Sequence, residues 1–369
     1  MSEWKEYKLG EIANIQTGPF GSQLHQSDYV DVGIPSIMPV NIGDRMNIST
    51  EKIVFITEED ATRLSRYCVQ EGDIVYSRRG DVEKCAYIGK AEIGWLCGTG
   101  CLRIRIDSSK ADSKYIAYYL STEDMKSWIS NNAVGTTMPN LNSSILQQVP
   151  LSMPSLDEQI RIALILSSLD DKIDLLNREN ATLEAMAETL FRQWFIEEAK
   201  EDWEEGKLGD LIEVKYGKDH KKLNDGTFPV FGSGGIMRYA ESAIYDKESV
   251  LIPRKGSLNN VMYIDEPFWT VDTMFYTEMR RPNIAKFIFH FMKGQDLANM
   301  NVGSAVPSMT TEVLNNIPLD IPPQDLFDKF EETVSVLYLK QKQNHIQISN
   351  LSKLRNILLP KLMSNSNII

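Results

Sequence analysis

The sequence predicts an α+β fold: two globular domains in tandem pseudo-repeat, separated by two long helices that form an antiparallel coiled coil. Three observations predict it. Blocks of sequence recur in order, each copy closes on apolar residues at heptad spacing, and the rest of each copy alternates short β-rich runs with Gly, Pro, Asn and Ser turns.

The repeat sets the domain count. WKEYKLGEIANIQTG at 4–18 recurs as WEEGKLGDLIEVKYG at 203–217, an offset of 199 that matches Trp4, Lys8, Leu9, Gly10 and Gly18 to Trp203, Lys207, Leu208, Gly209 and Gly217. GDIVYSRRGDVEKCAYIG at 72–89 pairs with ESVLIPRKGSLNNVMYID at 248–265 at an offset of 176. AVGTTMPNLNSSILQQVPLSMP at 133–154 pairs with NVGSAVPSMTTEVLNNIPLDIP at 301–322 at an offset of 168. The order is kept while the offset shrinks, so the second copy is the shorter. The expected divisions are 1–153 and 202–321 for the globular domains, 154–201 for the central helix and 322–369 for the distal helix. A chain of 369 residues agrees, since domains run to about 100–200 residues each.

In the globular parts, DIVYS and CLRIRI of the first copy and SVLIP and MFYTE of the second read as strands. The central helix opens directly after Pro154 at Ser155-Leu-Asp-Glu158, the pattern of a capping box. Ile162, Leu166, Leu169, Ile173, Leu176, Leu183, Ala187, Leu190 and Trp194 follow a four-three alternation that only Asn180 breaks. A helix from 155 to about 200 would be on the order of 70 Å long at about 1.5 Å per residue. The repeat places Phe330, Val334, Leu337, Ile348, Leu351, Leu358 and Leu362 on the equivalent seam, interrupted by Gln341, Asn344 and Arg355. Neither seam is stable in water, and each occurs once, so the economical arrangement packs one helix on the other, with a globule at each end and a pseudo-two-fold axis between. Asn180 is either a tolerated polar residue or a register pin that needs a polar partner.

Composition excludes several classes. The start of the chain shows no apolar signal segment, and no run of about 18 apolar residues spans a membrane. Cys68, Cys85, Cys97 and Cys101 lack a second pair or a nearby His and read as buried free thiols, which points to a reduced, cytoplasmic setting. Pro322-Pro323 follows Ile321 rather than the Asn or Asp of an adenine-methylase loop. Asp210, Glu213 and Lys215 resemble a metal-nuclease strand, but the first copy has Glu11, Asn14 and Gln16 there, and an exposed alternating strand explains them. His25, His220, His290 and His345 are scattered. No catalytic constellation emerges, so the expectation is a chain that binds no cofactor or metal of its own and does no chemistry.

The order and wording of these blocks resemble the specificity subunit of type I restriction–modification systems. TGPFGSQL at 17–24, GIPSIMPVNI at 33–42, GDIVYSRRG at 72–80, FPVFGSGGIMRY at 228–239 and VLIPRKG at 250–256 look like landmarks of its target-recognition domains. VPLSMPSLDEQIRIALILSSLDDKIDLLN at 149–177 looks like its central conserved region. The resemblance implies that each globule reads one half of a bipartite site in double-stranded DNA. It implies that the helix pair sets the spacer and docks two methylase subunits that use S-adenosylmethionine on adenine, joined by restriction subunits that use ATP and Mg. The doubled proline and more polar seam of the distal helix depart from a symmetric pair of docking faces.

Duplex DNA is gripped by cationic and amide side chains on protruding loops. Ser77, Arg78 and Arg79, with Arg254 and Lys255 of the second copy, follow an apolar strand and precede a turn glycine, which makes them candidates for phosphate and guanine contact or else solvated hairpin turns. Lys218, Lys221 and Lys222, around His220, form a second basic cluster that is either a DNA contact or merely an exposed loop. Ser233 lies in Gly232-Ser-Gly-Gly235, a weak match to a phosphate loop that reads better as close backbone packing or DNA approach. Thr136, Thr137, Asn140 and Asn142 match Ser304, Ser308 and Thr310 before each long helix, bonding phosphates or only the turn backbone. Ser22 and Asn259 complete the candidate set. The net charge of −12 argues against a uniformly basic surface, but the central helix alone has 5 Lys and Arg against 11 Asp and Glu. Two alternatives stay open: a specificity subunit serving a methylase without a restriction partner, and a coiled-coil protein whose globules bind protein.

Overall fold

The computed structural model describes residues 4–135, 139–300 and 308–364. Packing divides the chain into two compact units, Met1–Leu175 with Gln347–Ile369, and Leu176–Ile346. Both long helices are shared, so each unit holds one globule and part of each helix. That grouping follows burial rather than the sequence blocks.

In the first unit, β1 (Lys5–Lys8) pairs antiparallel with β9 (Pro150–Met153). A four-stranded sheet runs in the order β2-β8-β5-β6, built from β2 (Ala13–Thr17), β8 (Cys101–Ile106), β5 (Ile74–Ser77) and β6 (Cys85–Tyr87). A three-stranded sheet runs β4-β3-β7, from β4 (Val54–Ile56), β3 (Ile34–Ile37) and β7 (Leu96–Cys97), with β3 and β7 parallel.

The second unit repeats this strand for strand. There β10 (Glu204–Lys207) pairs with β18 (Pro318–Ile321). The four-stranded sheet is β11-β17-β14-β15, from β11 (Ile212–Tyr216), β17 (Met274–Met279), β14 (Ser249–Pro253) and β15 (Met262–Ile264). The three-stranded sheet is β13-β12-β16, from β13 (Gly235–Ala240), β12 (Asp225–Gly232) and β16 (Trp269–Thr270), with β12 and β16 again parallel. The four expected strand runs are therefore β5, β8, β14 and β17. All of β5 and all of β14 are buried, which is why they read as continuous apolar runs instead of alternating.

The matched glycine that ends the first repeat block has a steric cause. A Cβ on Gly18 would lie 2.2 Å from Gly98 O, and one on Gly217 would lie 2.1 Å from Val271 O. Backbone crosses backbone there in both copies, and no side chain fits.

The long helices span Leu156–Arg192 and Gln324–Leu362, the first followed by a π-helical turn over Gln193–Glu197. The α-helical part of the first is 37 residues, about 55 Å at about 1.5 Å per residue, and the π-helical turn carries it on to Glu197, close to the expected extent. Among the described residues no side-chain hydrogen bond closes the expected capping box between Ser155 and Glu158. Glu158 instead faces Arg161, 3.5 Å away, and Gln159 ties down the start of the helix. Only 2% exposed, Gln159 donates through Nε2 to Pro154 O at 2.9 Å and accepts from Asp112 N–H at 3.0 Å.

Within each unit the helix segments run antiparallel. In the first, Ile162 and Leu166 share a core with Leu358, Leu359, Leu362 and Met363. Arg355 Nε lies 2.7 Å from Asp170 Oδ1, an ion pair by distance though its N–H is not aligned on that oxygen. In the second, Phe191 and Phe195 pack on Phe330 at ring separations of 6.3 and 5.0 Å. Burying each such ring contributes on the order of 1.5–3 kcal/mol. The remaining seam residues Leu169, Leu183, Leu190, Leu337, Ile348 and Leu351 are half-buried, while Ile173 and Leu176 are buried.

Candidate nucleic-acid interface

Each unit builds one basic turn from three separate stretches of chain. In the first, β5 ends at Ser77, whose buried hydroxyl donates to Arg79 O at 3.0 Å and closes the turn on itself. Arg78 N–H donates to Gly100 O at 2.8 Å, and Arg78 O accepts Leu141 N–H at 2.9 Å. Arg79 bridges antiparallel to Asn140. Gly80 then takes φ +76°, a left-handed conformation that favours glycine. The backbone of Arg78 is thus fixed from both sides. Its guanidinium lies over the ring of Phe20, 5.7 Å from the centroid, and Arg79 is exposed.

The second unit repeats the arrangement with other residues. Arg254 N–H donates to Thr273 O at 2.8 Å, and Arg254 O accepts Met309 N–H at 2.9 Å. Lys255 bridges to Ser308 as Arg79 does to Asn140, and Gly256 has φ +85°. Arg254 lies over Tyr216, 5.3 Å from the centroid, and donates through Nη1 to Asp272 O at 3.1 Å. Among the described residues none of Arg78, Arg79, Arg254 and Lys255 forms an ion pair. Arg103 and Arg105, by contrast, surround the buried carboxylate of Asp73, with Arg105 Nε and Nη2 donating to its two oxygens at 2.7 and 2.6 Å. Cations committed to the core are therefore distinct from cations left available to an anion.

The other candidates scatter around these turns. Ser233 sits at the β12–β13 hairpin, its carbonyl accepting Asn260 Nδ2 at 2.7 Å, so the hairpin tip abuts the second basic turn. The glycine run is that hairpin turn, with Gly235 at φ +110°. Asn259 Oδ1 accepts Ala298 N–H at 3.0 Å. Asn142 and Thr310 cap short helices, accepting Ile145 N–H at 2.9 Å and Val313 N–H at 3.2 Å, which assigns both to the turn backbone. Lys218, Lys221 and Lys222 are exposed on the loop after β11, and His220 is half-buried beside them. Ser22 is exposed in the turn after Phe20. Thr136, Thr137 and Ser304 lie outside the described residues. Of the nuclease-like residues, Asp210 Oδ2 accepts Lys207 N–H at 2.8 Å and Glu213 pairs with Lys215 at 2.5 Å. Sequence reasoning missed Phe20 and Tyr216, although each flanks the repeated glycine of its copy.

Comparison with known proteins follows the same duplication. The model of the type I restriction modification DNA specificity domain matches twice, over residues 1–185 and 200–359. The chain belongs to this family. As a type I specificity subunit it is a non-catalytic DNA-recognition protein. It is 24% identical over 405 residues to the type I restriction enzyme MjaIX specificity subunit of Methanocaldococcus jannaschii, covering 98% of this chain and 93% of that one. It is 24% identical over 201 residues to the HindI specificity subunit of Haemophilus influenzae, covering 53% and 42%. In fold it is similar to the crystal structure of a type I restriction–modification S subunit from M. genitalium, with a TM-score of 0.69 at 20% identity, across 99% of this chain and 97% of that one.

Cys85 and Cys97 are buried free thiols that burial pushes up to about 12, so they stay protonated at neutral pH. Among the described residues, no helix is long and apolar enough to cross a membrane.

Proposed function

We propose that each globule reads one half of a bipartite target in double-stranded DNA through its basic turn, and that the helix pair sets the spacer and docks two adenine-methylase subunits. S-adenosylmethionine then belongs to the methylase, ATP and Mg belong to a restriction subunit, and the assembly works in the cytoplasm. The observation that supports this most is the basic turn made twice. Arg78-Arg79 and Arg254-Lys255 stand on the same backbone scaffold in both copies, and among the described residues none has an ion-pair partner. A solvated hairpin would need neither adjacent cations nor that scaffold. The test is one chain carrying Arg78→Ala, Arg79→Ala, Arg254→Ala and Lys255→Ala, co-expressed with its methylase. The expected result is an assembled complex that has lost sequence-specific adenine methylation, read by single-molecule sequencing. An unaltered methylation pattern overturns the reading.

A further inference from the structure

We propose that Phe20 and Tyr216 are specificity-determining residues: each ring orients an arginine, Arg78 or Arg254, toward a base edge of its half-site, while Arg79 and Lys255 anchor phosphates. This rests on the DNA-reading assignment above and divides each basic turn into two roles.

The first argument comes from comparing the two copies. The position over the ring is arginine in both, Arg78 and Arg254. The bridged position beside it is Arg79 in one copy and Lys255 in the other. A phosphate anchor needs only a positive charge, which Arg and Lys both supply. A planar fork that meets guanine O6 and N7 together is supplied by arginine alone. The stacked position therefore carries the requirement for geometry, and the bridged position the requirement for charge.

The second argument is that the rings were not simply inherited with the duplication. The offset of 199 carries Phe20 to Asp219 and Tyr216 back to Thr17. The two copies reach the same cation–ring placement from opposite sides of the matched Gly18 and Gly217. The backbone that carries Phe20 and the ring of Tyr216 are also held. Phe20 O accepts Gln23 N–H and Leu24 N–H at 2.8 and 3.2 Å, and the preceding Pro19 O accepts Thr99 Oγ1 at 3.2 Å. Thr99 adjoins Gly100, whose carbonyl fixes Arg78. Tyr216 stands edge-on to the buried Phe275, 5.0 Å between centroids. Yet Phe20 is 53% and Tyr216 51% exposed. A half-bare ring on a fixed backbone, under a cation that has no ion-pair partner among the described residues, offers an apolar surface to the base next to the guanine. The Phe20 ring fits a thymine methyl, and the Tyr216 hydroxyl adds a hydrogen-bonding group, so the two half-sites differ at this step.

The experiment uses the full chain co-expressed with its methylase subunits, in four single variants: Phe20→Leu, Tyr216→Leu, Arg79→Gln and Lys255→Gln. Leucine keeps an apolar side chain at exposed positions, and circular dichroism together with co-purification of the methylase subunits is the control for folding. Methylated adenines are mapped, and the purified complexes are titrated with cognate and singly mismatched duplexes across a salt series. Phe20→Leu is expected to relax one position of one half-site, Tyr216→Leu one position of the other. In each, the cognate-to-mismatch ratio falls about tenfold, the equivalent of ~1.4 kcal/mol, without a change in salt slope. Arg79→Gln and Lys255→Gln are expected to weaken all duplexes alike and lower the salt slope by about 1 each. Ring variants with unaltered motifs, beside charge variants that still lose affinity, overturn the proposal and leave DNA reading intact. If neither pair changes binding, both readings fall.

Discussion

Tyr118 and His290 do the same work in the two copies with different chemistry. Tyr118 Oη donates to Asp170 Oδ2 at 2.7 Å, and His290 Nε2 lies 2.9 Å from Tyr338 Oη. The offset of 168 that relates the long helices carries Asp170 to Tyr338, so both bonds tie a globular helix to the same place on a long one. His290 is 3% exposed and stacks on Phe191, 5.5 Å between centroids. Burial, then the nearby Lys293 charge, holds its pKa down to about 4 against an ordinary 6.5. The unfolded chain therefore binds the proton first. The stability this neutral imidazole supports is complete above pH 6.5 and is lost as the pH falls toward about 4. Between about pH 7.5 and 5 the loss amounts to ~2 kcal/mol at most, taking ~1.36 kcal/mol per pH unit. Urea unfolding at those two values is expected to show it, and His290→Gln, which keeps a hydrogen-bonding group without the titration, is expected to reduce it. An equal loss in the variant would place the acid sensitivity elsewhere.

On the long helices, polar residues explain more than the apolar seam does. Asn344, fully buried, donates through Nδ2 to Asn180 Oδ1 and to Glu179 Oε2, both at 2.9 Å, and Gln341 Nε2 donates to Asn180 O at 3.0 Å. Every polar residue that interrupts the heptads in the sequence has a cross-helix partner in its own unit: Asn180, Gln341, Asn344, and Arg355 with Asp170. A one-turn slip would strand buried amides, a cost of about 1–3 kcal/mol each. Replacing both members by apolar groups removes that cost, so Asn180→Leu with Asn344→Leu is expected to melt no earlier than the wild type while losing its single register. The single Asn180→Leu is expected to destabilise by about 1–2 kcal/mol, since Asn344 keeps only Glu179. Size-exclusion chromatography with light scattering would detect the register loss as mixed oligomers, and a uniform monomeric double variant would remove the pinning role. The heptads were legible because their spacing is purely local. The cap was misread because Gln159 bonds across to Asp112, a partner 47 residues away in the chain. Phe191 and Phe195 fell outside the seam because, near the helix end, a globule covers a second face and widens the apolar stripe beyond heptad positions.

The duplication was legible across the whole molecule because it is written in the order of residues, and the identical strand orders of the two units express it in three dimensions. The basic turns were legible for the same reason. Their ring partners were not, because Phe20 and Tyr216 occupy non-equivalent positions and meet the arginines only through folding. Charge is the remaining property of the whole chain. The formal net charge is −12, and the distal segment 322–369, with 6 Lys and Arg against 4 Asp and Glu, is its only net-positive part. A duplex is held in a sequence-independent way by releasing counterions against many cations, and two short basic turns supply few of them. Under the proposed reading recognition and grip are separable: this chain selects, and partner subunits would supply most of the phosphate neutralisation. The isolated subunit is expected to bind a cognate duplex weakly at about 150 mM salt, with a salt slope near that of two to four phosphate contacts, about −2 to −4. Adding the methylase subunits is expected to raise affinity by several orders of magnitude and steepen the slope. Fluorescence anisotropy across a salt series measures both, and tight, specific binding by the purified chain alone would show that its four segments conceal a far more basic face than their charges allow.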